Sequence, residues 1–270
     1  PWPWAAGGRD PADLEALLAQ APCVHRPPTF AELEAEGVVA HRFGLLAGRA
    51  LMHVAHEGAS PAALAADPLN RGVLALGGGA ECQSLYQGGF ADVRILHDRY
   101  YNANLRALRV GADDPIPVPP VLPADPAASN ALLDTGSSFL VLDTGTWQAL
   151  RDALGRRGPH LPELVDRSAQ ALARGETLAM HEVAVHDWPD LHLHLEAPDG
   201  GDTVLRVPAS HYWPGNALGR GRTLCLLMPQ LPHFPRQSIL GLPLFAGRYA
   251  VFDRAAAHGL GIVRFATARA

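Results

Sequence analysis

Short apolar runs separated by turn residues cover most of the chain from Val93 onward. Several of them alternate apolar and polar residues, which is the pattern of a strand with one buried face and one face in water. Over residues 100–110 this alternation is uninterrupted and predicts Leu105 and Ala107 on one face of the strand and Leu108 on the other. Strands are predicted at residues 38–46, 72–79, 100–110, 131–133, 139–142, 191–195, 203–207, 223–227, 249–252 and 261–265.

Helical patterns are short. Apolar residues at helical spacing predict a helix at residues 146–154, which Gly155 is expected to end. Two helices are predicted nearer the start of the chain, one at residues 11–20 and one that opens with a capping-box pattern at Thr29 and stops at Gly37. The 24 prolines and 27 glycines favour turns and strands elsewhere. The sequence therefore predicts a mostly β protein with a few short helices.

Composition narrows the class of protein. Of the 270 residues, 48% are apolar, which is enough for a substantial core, and the formal net charge of -5 gives no basic footprint for nucleic acid. No run of eighteen apolar residues is present, which argues against a membrane-spanning helix. The cysteines Cys23, Cys82 and Cys225 are too few for a disulfide scaffold and are expected to be buried thiols, although one bridge remains an alternative.

The stretch ALLDTGSSFLVLDTGTWQAL contains the triplet Asp-Thr-Gly twice, beginning at Asp134 and at Asp143. Asp143 directly precedes the predicted helix, where its side chain would cap the unpaired amides of the first turn. Asp134 has no helix to cap, because it lies on a tight turn between two apolar strands. Its neighbours suit a carboxylate held in place, since Gly136 permits close backbone approach and Thr135 and Ser137 offer hydroxyls. An aspartate in an ordinary β-turn is the alternative.

A second segment, QSILGLPLFAGRYAVFDRAAAHGLGIVRF at residues 237–265, gives the first triplet a context. Together with ALLDTGSSFLVL it resembles the C-terminal lobe of the pepsin-type, two-lobed aspartic peptidases. In that family an apolar-apolar-Asp-Thr-Gly loop carries one catalytic aspartate, and an apolar-apolar-Gly segment passes behind that loop. Asp134 and the segment Ile239, Leu240 and Gly241 occupy these places here.

The resemblance runs from about residue 29 to residue 265 and implies a fold and a domain organisation. The implied fold is mostly β, a pepsin-like acid protease β-barrel lobe with a few short helices and an incomplete first lobe. Residues 1–92 would be a remnant of the N-terminal lobe with the inter-lobe strands, and residues 93–270 would be the C-terminal pepsin-like lobe. The opening PWPWAAGG has neither an initiator Met nor a signal-peptide pattern, as expected of a processed or truncated product.

Three departures from the family pattern bear on activity. No Asp-Thr-Gly and no Tyr-Gly flap motif precede Asp134, and YQGG at residues 86–89 is the nearest sequence to a flap. Leu242 stands where the family often has Asp after the apolar-apolar-Gly segment. A disulfide common in this lobe would use Cys225, but residues 178–185 contain no cysteine to pair with it, so a free thiol is expected.

The resemblance implies an aspartic endopeptidase that acts on extended peptides with neither a metal nor an organic cofactor. Such enzymes activate water with two carboxylates that share one proton, and Asp134 would be one of them. Thr135 would brace the loop, Gly136 would allow its geometry and Ser137 would hydrogen-bond the carboxylate, with residues 239–241 as further support.

One aspartate is insufficient for this chemistry, so the source of the second is the open question. A missing N-terminal lobe or a second chain could supply it, or two copies of this chain could pair symmetrically. Alternatively no partner exists, and the chain is a catalytically inactive pepsin-like lobe that acts as a protein-binding or assembly module. The resemblance favours a secreted, lumenal or vacuolar compartment.

Two further clusters are weaker candidates for sites. His192 and His194 share one face of a strand at a spacing that can bind a metal ion. With no third ligand evident, a solvent-facing pair is expected. Trp188, Tyr212 and Trp213 either line a peptide cleft or pack in the core.

Overall fold

The chain separates into two units, Pro1–Val38 and Val39–Ala270, and each is described by itself. The predicted helix at residues 11–20 lies outside the part of the chain that the structure describes, and so does Cys23. The structure is a computed structural model that describes residues 28–97, 100–120, 128–230 and 237–269.

The described part of the first unit contains helix α1 (Thr29–Ala35). Its N-cap is Pro28, which has no side-chain oxygen to accept a hydrogen bond from the first turn, so the predicted capping box at Thr29 is wrong. The predicted stop is confirmed, because Gly37 has a left-handed backbone with φ of 69° just beyond the helix.

The second unit contains all the other elements, and strands outnumber helices among them. The predicted mostly β class is therefore confirmed, and within the described residues none of the sheets closes into a barrel. In chain order the elements are β1 (Arg42–Ala47), α2 (Pro61–Ala66), β2 (Gly72–Leu76), β3 (Tyr86–Arg94), β4 (Asn102–Ala103), β5 (Leu105–Val110), β6 (Ile116–Pro117), β7 (Ala131–Leu133), β8 (Leu140–Leu142), α3 (Thr144–Arg157), α4 (His160–Ala173), β9 (Leu178–Ala179), β10 (Leu191–Glu196), β11 (Asp202–Val207), α5 (Ala209–Tyr212), β12 (Arg222–Thr223), β13 (Leu227–Pro229), β14 (Ser238–Leu240), α6 (Leu242–Phe245), β15 (Arg248–Asp253) and β16 (Ile262–Ala268).

One antiparallel sheet joins early strands to the last two strands, in the order β2-β1-β15-β16-β3. An aromatic cluster packs on it. Phe43 of β1 stacks on Phe252 of β15 with ring centroids 4.7 Å apart, and Tyr101 meets Phe252 edge-on with centroids 4.6 Å apart. These rings come from three distant parts of the sequence, and the sheet order brings them together.

A second antiparallel sheet has the order β11-β10-β5-β6 and contains a β-bulge. Leu105 and Ala107 of β5 face consecutive residues of β10, so Arg106 is an extra residue in β5. A bulge reverses the side-chain faces of the strand beyond it. Leu108 is consequently as fully buried as Leu105, and the predicted uninterrupted alternation over residues 100–110 is wrong.

Helices α3 and α4 pack against each other, and both depart from the sequence prediction. Helix α3 continues through Gly155 to Arg157, so the predicted end is wrong. A Cβ at Gly155 would make only an ordinary contact, 4.0 Å from Cγ of Pro162, so helix packing leaves room for a side chain there. Helix α4 was not predicted, although its buried residues recur at helical spacing: Leu161, Leu164, Val165, Ser168 and Ala171.

Core packing settles two of the alternatives. The ring centroid of Trp188 lies 6.2 Å from that of Tyr212 and 5.0 Å from that of Trp213, and all three residues are buried. These residues therefore belong to the core and do not line a cleft. Cys225 is a free, buried thiol, as expected, and burial raises its pKa to about 12. Cys82 is also free. No helix in the described part of the chain has the length and apolar character needed to cross a membrane.

His211 on α5 gives the fold a predicted sensitivity to acid. Burial, reinforced by the nearby Arg248 guanidinium, lowers its pKa to about 4, although its Nδ1 hydrogen-bonds the Pro243 carbonyl at 3.3 Å. Between pH 4 and the ordinary histidine pKa of about 6.5, the unfolded state binds more protons than the folded state. The free energy of unfolding should therefore fall by about 2 kcal/mol as pH drops through this window.

The measurement is urea unfolding of the wild type and of His211→Gln at pH 7 and pH 4.5. The difference between the two pH values should shrink by about that amount in the variant, because other groups titrate equally in both proteins. An unchanged difference would show that His211 does not carry the effect.

Candidate active site

The Asp134 loop connects β7 and β8, two strands of a sheet made of very short, buried strands in the order β13-β8-β14-β7-β4. Strand β14 lies between β7, with which it is parallel, and β8, with which it is antiparallel. Ile239 faces Leu132 on one side and Val141 on the other. Because β7 and β8 are separated by β14, the turn that connects them must pass over the end of β14.

Gly241 lies where β14 ends beneath that turn. Its amide donates to the Phe139 carbonyl at 3.2 Å, and the amide of Leu242 donates to the Ser137 carbonyl at 2.8 Å. A Cβ at position 241 would overlap both of these carbonyl oxygens. This crossing of the turn over the end of β14 requires glycine at position 241, because only glycine lets the two backbones approach so closely. The requirement gives a steric reason for the Ile-Leu-Gly segment behind the loop.

Asp134 is the first residue after β7 and is partly buried. Its amide donates to the Leu240 carbonyl at 3.1 Å, which ties the start of the loop to β14. Its Oδ1 accepts a hydrogen bond from the Gly136 amide at 2.8 Å. The turn closes with the Ser137 amide donating to the Asp134 carbonyl at 3.3 Å. The backbone of the loop thus fixes the position of this carboxylate.

The two hydroxyl residues of the loop are placed differently from the prediction for Ser137. Its Oγ donates to the Phe139 carbonyl at 3.2 Å and accepts from the Phe139 amide at 3.3 Å, so it closes its own turn and does not bond the carboxylate. Such local side-chain bonds are common for serine in turns. Thr135 is partly buried and lines the cavities beside Asp134.

Thr135 lines two cavities of the second unit, and Asp134 lines the smaller of them. The smaller, of about 240 Å³, is lined by Asp134 and by the rings of Phe43, Tyr101 and Phe252. The larger, of about 670 Å³, is lined mainly by apolar residues of β1 and α2 and by Leu242, with Arg49 at its wall. The aromatic lining was not predicted from sequence, because no local signal marks residues that only the sheet order assembles.

The model of the eukaryotic aspartyl protease family matches residues 63–266. The chain belongs to this family. The matched segment contains the Asp134 loop, the Gly241 crossing and the strands β15 and β16, so the pepsin-like fold expected from the sequence is confirmed. No curated protein matches the chain. Membership of an aspartyl protease family implies a peptide or protein substrate.

His192 and His194, for which metal binding is the weaker interpretation, lie on β10, in a different sheet from the strands that carry the Asp134 loop. The Nδ1 of His194 lies 3.6 Å from Asp202 Oδ2, and both histidines are partly buried. Burial and then the charge of Arg109 lower the pKa of His192. Among the described residues, no three His, Cys, Asp or Glu side chains are grouped as metal ligands.

The second Asp-Thr-Gly of this aspartyl protease domain caps a helix, as predicted. Asp143 is the N-cap of α3, and its Oδ1 accepts from the amides of Gly145 at 3.0 Å and Thr146 at 3.3 Å. Its carboxylate also accepts hydrogen bonds from the hydroxyls of Thr146 and Ser238. The same triplet therefore has two structural settings within nine residues of each other.

Replacing Asp143 should change stability according to the capping chemistry. Asp143→Ala removes an acceptor for two backbone amides and is expected to lower the free energy of unfolding by about 0.5–2 kcal/mol. Asp143→Asn keeps an oxygen that can accept from the same amides and should cost less. Urea unfolding of both variants tests this, and equal losses would mean that the negative charge, not the cap, is what α3 needs.

Proposed function

We propose that this chain is part of an aspartic endopeptidase and that Asp134 is one of its two catalytic carboxylates. The observation that supports the proposal best is the setting of Asp134 at the start of the turn that crosses the end of β14, where it borders a cavity. The loop backbone fixes the carboxylate through the Gly136 amide, and the Gly241 crossing fixes the loop. Ile239 and Leu240 support the crossing from β14.

The proposed reaction is hydrolysis of a peptide bond by an activated water. One carboxylate accepts a proton from water while the other, protonated, donates a hydrogen bond to the substrate carbonyl. We assign Asp134 Oδ2 to face the water, since Oδ1 already accepts from Gly136. Two carboxyl groups this close share one proton and titrate as a pair. The mechanism calls for neither a metal ion nor an organic cofactor.

The proposed substrate is an extended peptide with apolar side chains. The small cavity beside Asp134 is aromatic, and the larger one is mainly apolar, so both favour apolar groups over charged ones. Thr135 lies between them and would brace the loop against bound substrate.

The second carboxylate is proposed to come from a complementary lobe or a second chain. Asp143 caps α3, so the sequence offers no other Asp-Thr-Gly for the purpose. The division into residues 1–92, with inter-lobe strands, and residues 93–270, as the lobe carrying Asp134, remains part of the same proposal. The use of Asp143 as a helix cap is equally compatible with the second candidate function, a pepsin-like lobe that binds proteins without cleaving them.

A monomer of these 270 residues is expected not to cleave peptides, because a lone carboxylate lacks the acid that the mechanism needs. The test is hydrolysis of a fluorogenic peptide at acidic pH over a dilution series, with and without a statine-type inhibitor, on protein of measured mass. Inhibitor-sensitive turnover by the monomer would contradict the expectation. A rate that follows the dimer concentration would assign the second carboxylate to another Asp134, and turnover that appears on adding a complementary polypeptide would assign it there.

A further inference from the structure

Two connections of the second unit pair with each other at one point. One is the connection between β1 and β2, residues 48–71, which contains α2. The other is the loop of residues 214–221, which lies between α5 and β12 and is called the 214–221 loop below. His53 of the first connection and Ala217 of the loop form an isolated antiparallel bridge. The side chain of His53 therefore lies at the junction of the two connections.

The imidazole of His53 has one partner in each connection, and only 12% of its side chain is exposed. Its Nδ1 lies 2.8 Å from Asp67 Oδ2, and its Nε2 lies 3.4 Å from the side-chain nitrogen of Asn216. Asn70 holds the backbone of His53, since its Oδ1 accepts from the His53 amide at 2.6 Å and its Nδ2 donates to the His53 carbonyl at 2.8 Å. The ring is thus fixed between a carboxylate and an amide.

These partners determine which ring nitrogen of His53 carries the hydrogen. The Gly221 amide donates to Asn216 Oδ1 at 2.8 Å, which sets the orientation of the Asn216 side chain. The Asn216 nitrogen that faces the ring can only donate, so Nε2 of His53 must be the acceptor. A carboxylate can only accept, so Nδ1 carries the hydrogen and donates to Asp67. The contact with the 214–221 loop consequently requires a neutral imidazole.

Protonation of His53 would act in opposite directions on its two contacts. A hydrogen on Nε2 would point at the N–H groups of Asn216, so that two donors would face each other. The contact with Asp67 would become a charge-assisted hydrogen bond and would strengthen. The hydrogen bond from His53 is already the largest cause that lowers the pKa of Asp67, so this carboxylate stays ionised in mild acid.

The 214–221 loop has a backbone conformation that its contacts must maintain. Asn216 and Leu218 both have left-handed φ, at 54° and 60°. This region is tolerated by asparagine but is unfavourable for leucine, and the Leu218 side chain is 51% exposed, so its own burial offsets little of the cost. The loop is held by the Val54 amide, which donates to the Asn216 carbonyl at 2.8 Å, and by its own Leu218 amide, which donates to the Met52 carbonyl at 3.1 Å.

Few other charges act on His53 among the described residues. Arg49 acts on Asp67, whose pKa its guanidinium also lowers, as the last of the causes. The 214–221 loop faces the ring with the uncharged amide of Asn216. The remaining charged or titratable residues of the two connections and of β12 are exposed or bond elsewhere: His56, Glu57, Arg71, Arg220 and Arg222.

We propose that His53 is an acid-sensitive switch for the position of the 214–221 loop. The neutral imidazole ties the loop to the connection between β1 and β2. The protonated imidazole keeps Asp67 and releases Asn216, and the loop then relaxes from its left-handed backbone. Histidine is the side chain that ordinarily changes charge between about pH 5 and 8, so the switch would act in mild acid.

Release of the loop would change one wall of the larger cavity. Arg49 Nη2 donates to the Gly215 carbonyl at 2.5 Å, and Met52 accepts from the loop through its carbonyl. Arg49 and Met52 both line that cavity. The proposal concerns the position of the loop and does not depend on Asp134 being catalytic.

The first test is hydrogen exchange of the purified chain, followed by NMR at about pH 7.5 and about pH 5 and corrected for the intrinsic effect of pH on exchange. The reporters are the Val54 and Leu218 amides, which donate between the two connections. Their protection factors should fall by about three- to tenfold at the lower pH, the equivalent of one lost hydrogen bond. The Ala197 amide, which donates to the Gly201 carbonyl in the β10–β11 hairpin, should keep its protection.

Asn216→Asp should reverse the effect of pH on the two reporter amides. Aspartate also tolerates left-handed φ, and one of its oxygens can still accept from the Gly221 amide. Its other oxygen would face Nε2 of His53 and would accept from the protonated ring. The protection factors of the reporter amides should therefore rise, and not fall, as the pH is lowered.

His53→Gln should make the protection of the reporter amides independent of pH over the same range. The matched control is His186→Gln, which removes a histidine that is 82% exposed and lies 3.4 Å from Asp187. That variant should keep the wild-type response, because His186 is in neither of the two connections.

The tautomer of His53 gives a readout that does not depend on hydrogen exchange. Long-range hydrogen–nitrogen NMR correlations of the ring in neutral solution should show the hydrogen on Nδ1. A hydrogen on Nε2 would overturn the proposal. So would reporter amides equally protected at both pH values, or a change of the same sign in Asn216→Asp and the wild type.

Discussion

Gly241→Ala is expected to abolish folding of the second unit. A Cβ at this position would overlap the carbonyl oxygens of Ser137 and Phe139, which are backbone atoms and cannot rotate away. To remove this overlap, the Asp134 loop would have to move away from β14, which would break the hydrogen bonds from the Gly241 and Leu242 amides to that loop. Overpacking of this kind, with two backbone hydrogen bonds lost, should lower the free energy of unfolding by more than about 4 kcal/mol.

The matched control for Gly241→Ala is Gly89→Ala. Gly89 lies in β3, its φ is outside the left-handed region, and a Cβ built there meets no atom within 4 Å. Soluble yield and urea unfolding of the two variants give the comparison. Gly89→Ala should match the wild type or exceed it slightly, since alanine restricts the unfolded chain. A Gly241→Ala variant that unfolds at the wild-type urea concentration would contradict the crossing described here.

Local patterns predict the parts of the fold and site that depend on neighbours in sequence. Strand β7 and the turn at Asp134 follow from apolar residues interrupted by small polar ones, and the cap at Asp143 follows from its place before a helix. The Ile-Leu-Gly segment is recognised by resemblance, and the structure adds the steric reason for Gly241. The family is confirmed by the same segments.

The features that the sequence does not predict depend on distant contacts. Arg106 forms a β-bulge because no residue of β10 lies opposite it, and no pattern within residues 100–110 indicates this mismatch between the two strands. Helix α3 continues through Gly155 because its packing against α4 outweighs the cost of a helical glycine of about 1 kcal/mol. Phe43, Tyr101 and Phe252 meet beside Asp134 only through the order of the strands.

Asp134→Asn is expected to remove peptidase activity from the assembled enzyme, meaning this chain together with whatever supplies the second carboxylate. An amide cannot accept the proton of the attacking water, so the rate should fall by about 10²–10⁴-fold or more. Stability should change little, because asparagine can still accept from the Gly136 amide through its side-chain oxygen. The same substitution in the other triplet, Asp143→Asn, leaves the cap acceptor in place and should leave the rate nearly unchanged.

The most direct measurement is therefore kcat/KM for a fluorogenic peptide at acidic pH, compared between wild type, Asp134→Asn and Asp143→Asn in the assembled enzyme. Each protein is first checked for folding by its urea unfolding midpoint. Assignment of catalysis to Asp134 predicts loss of inhibitor-sensitive turnover in Asp134→Asn alone, with all three proteins folded. Full turnover in a folded Asp134→Asn protein, or loss confined to Asp143→Asn, would contradict it.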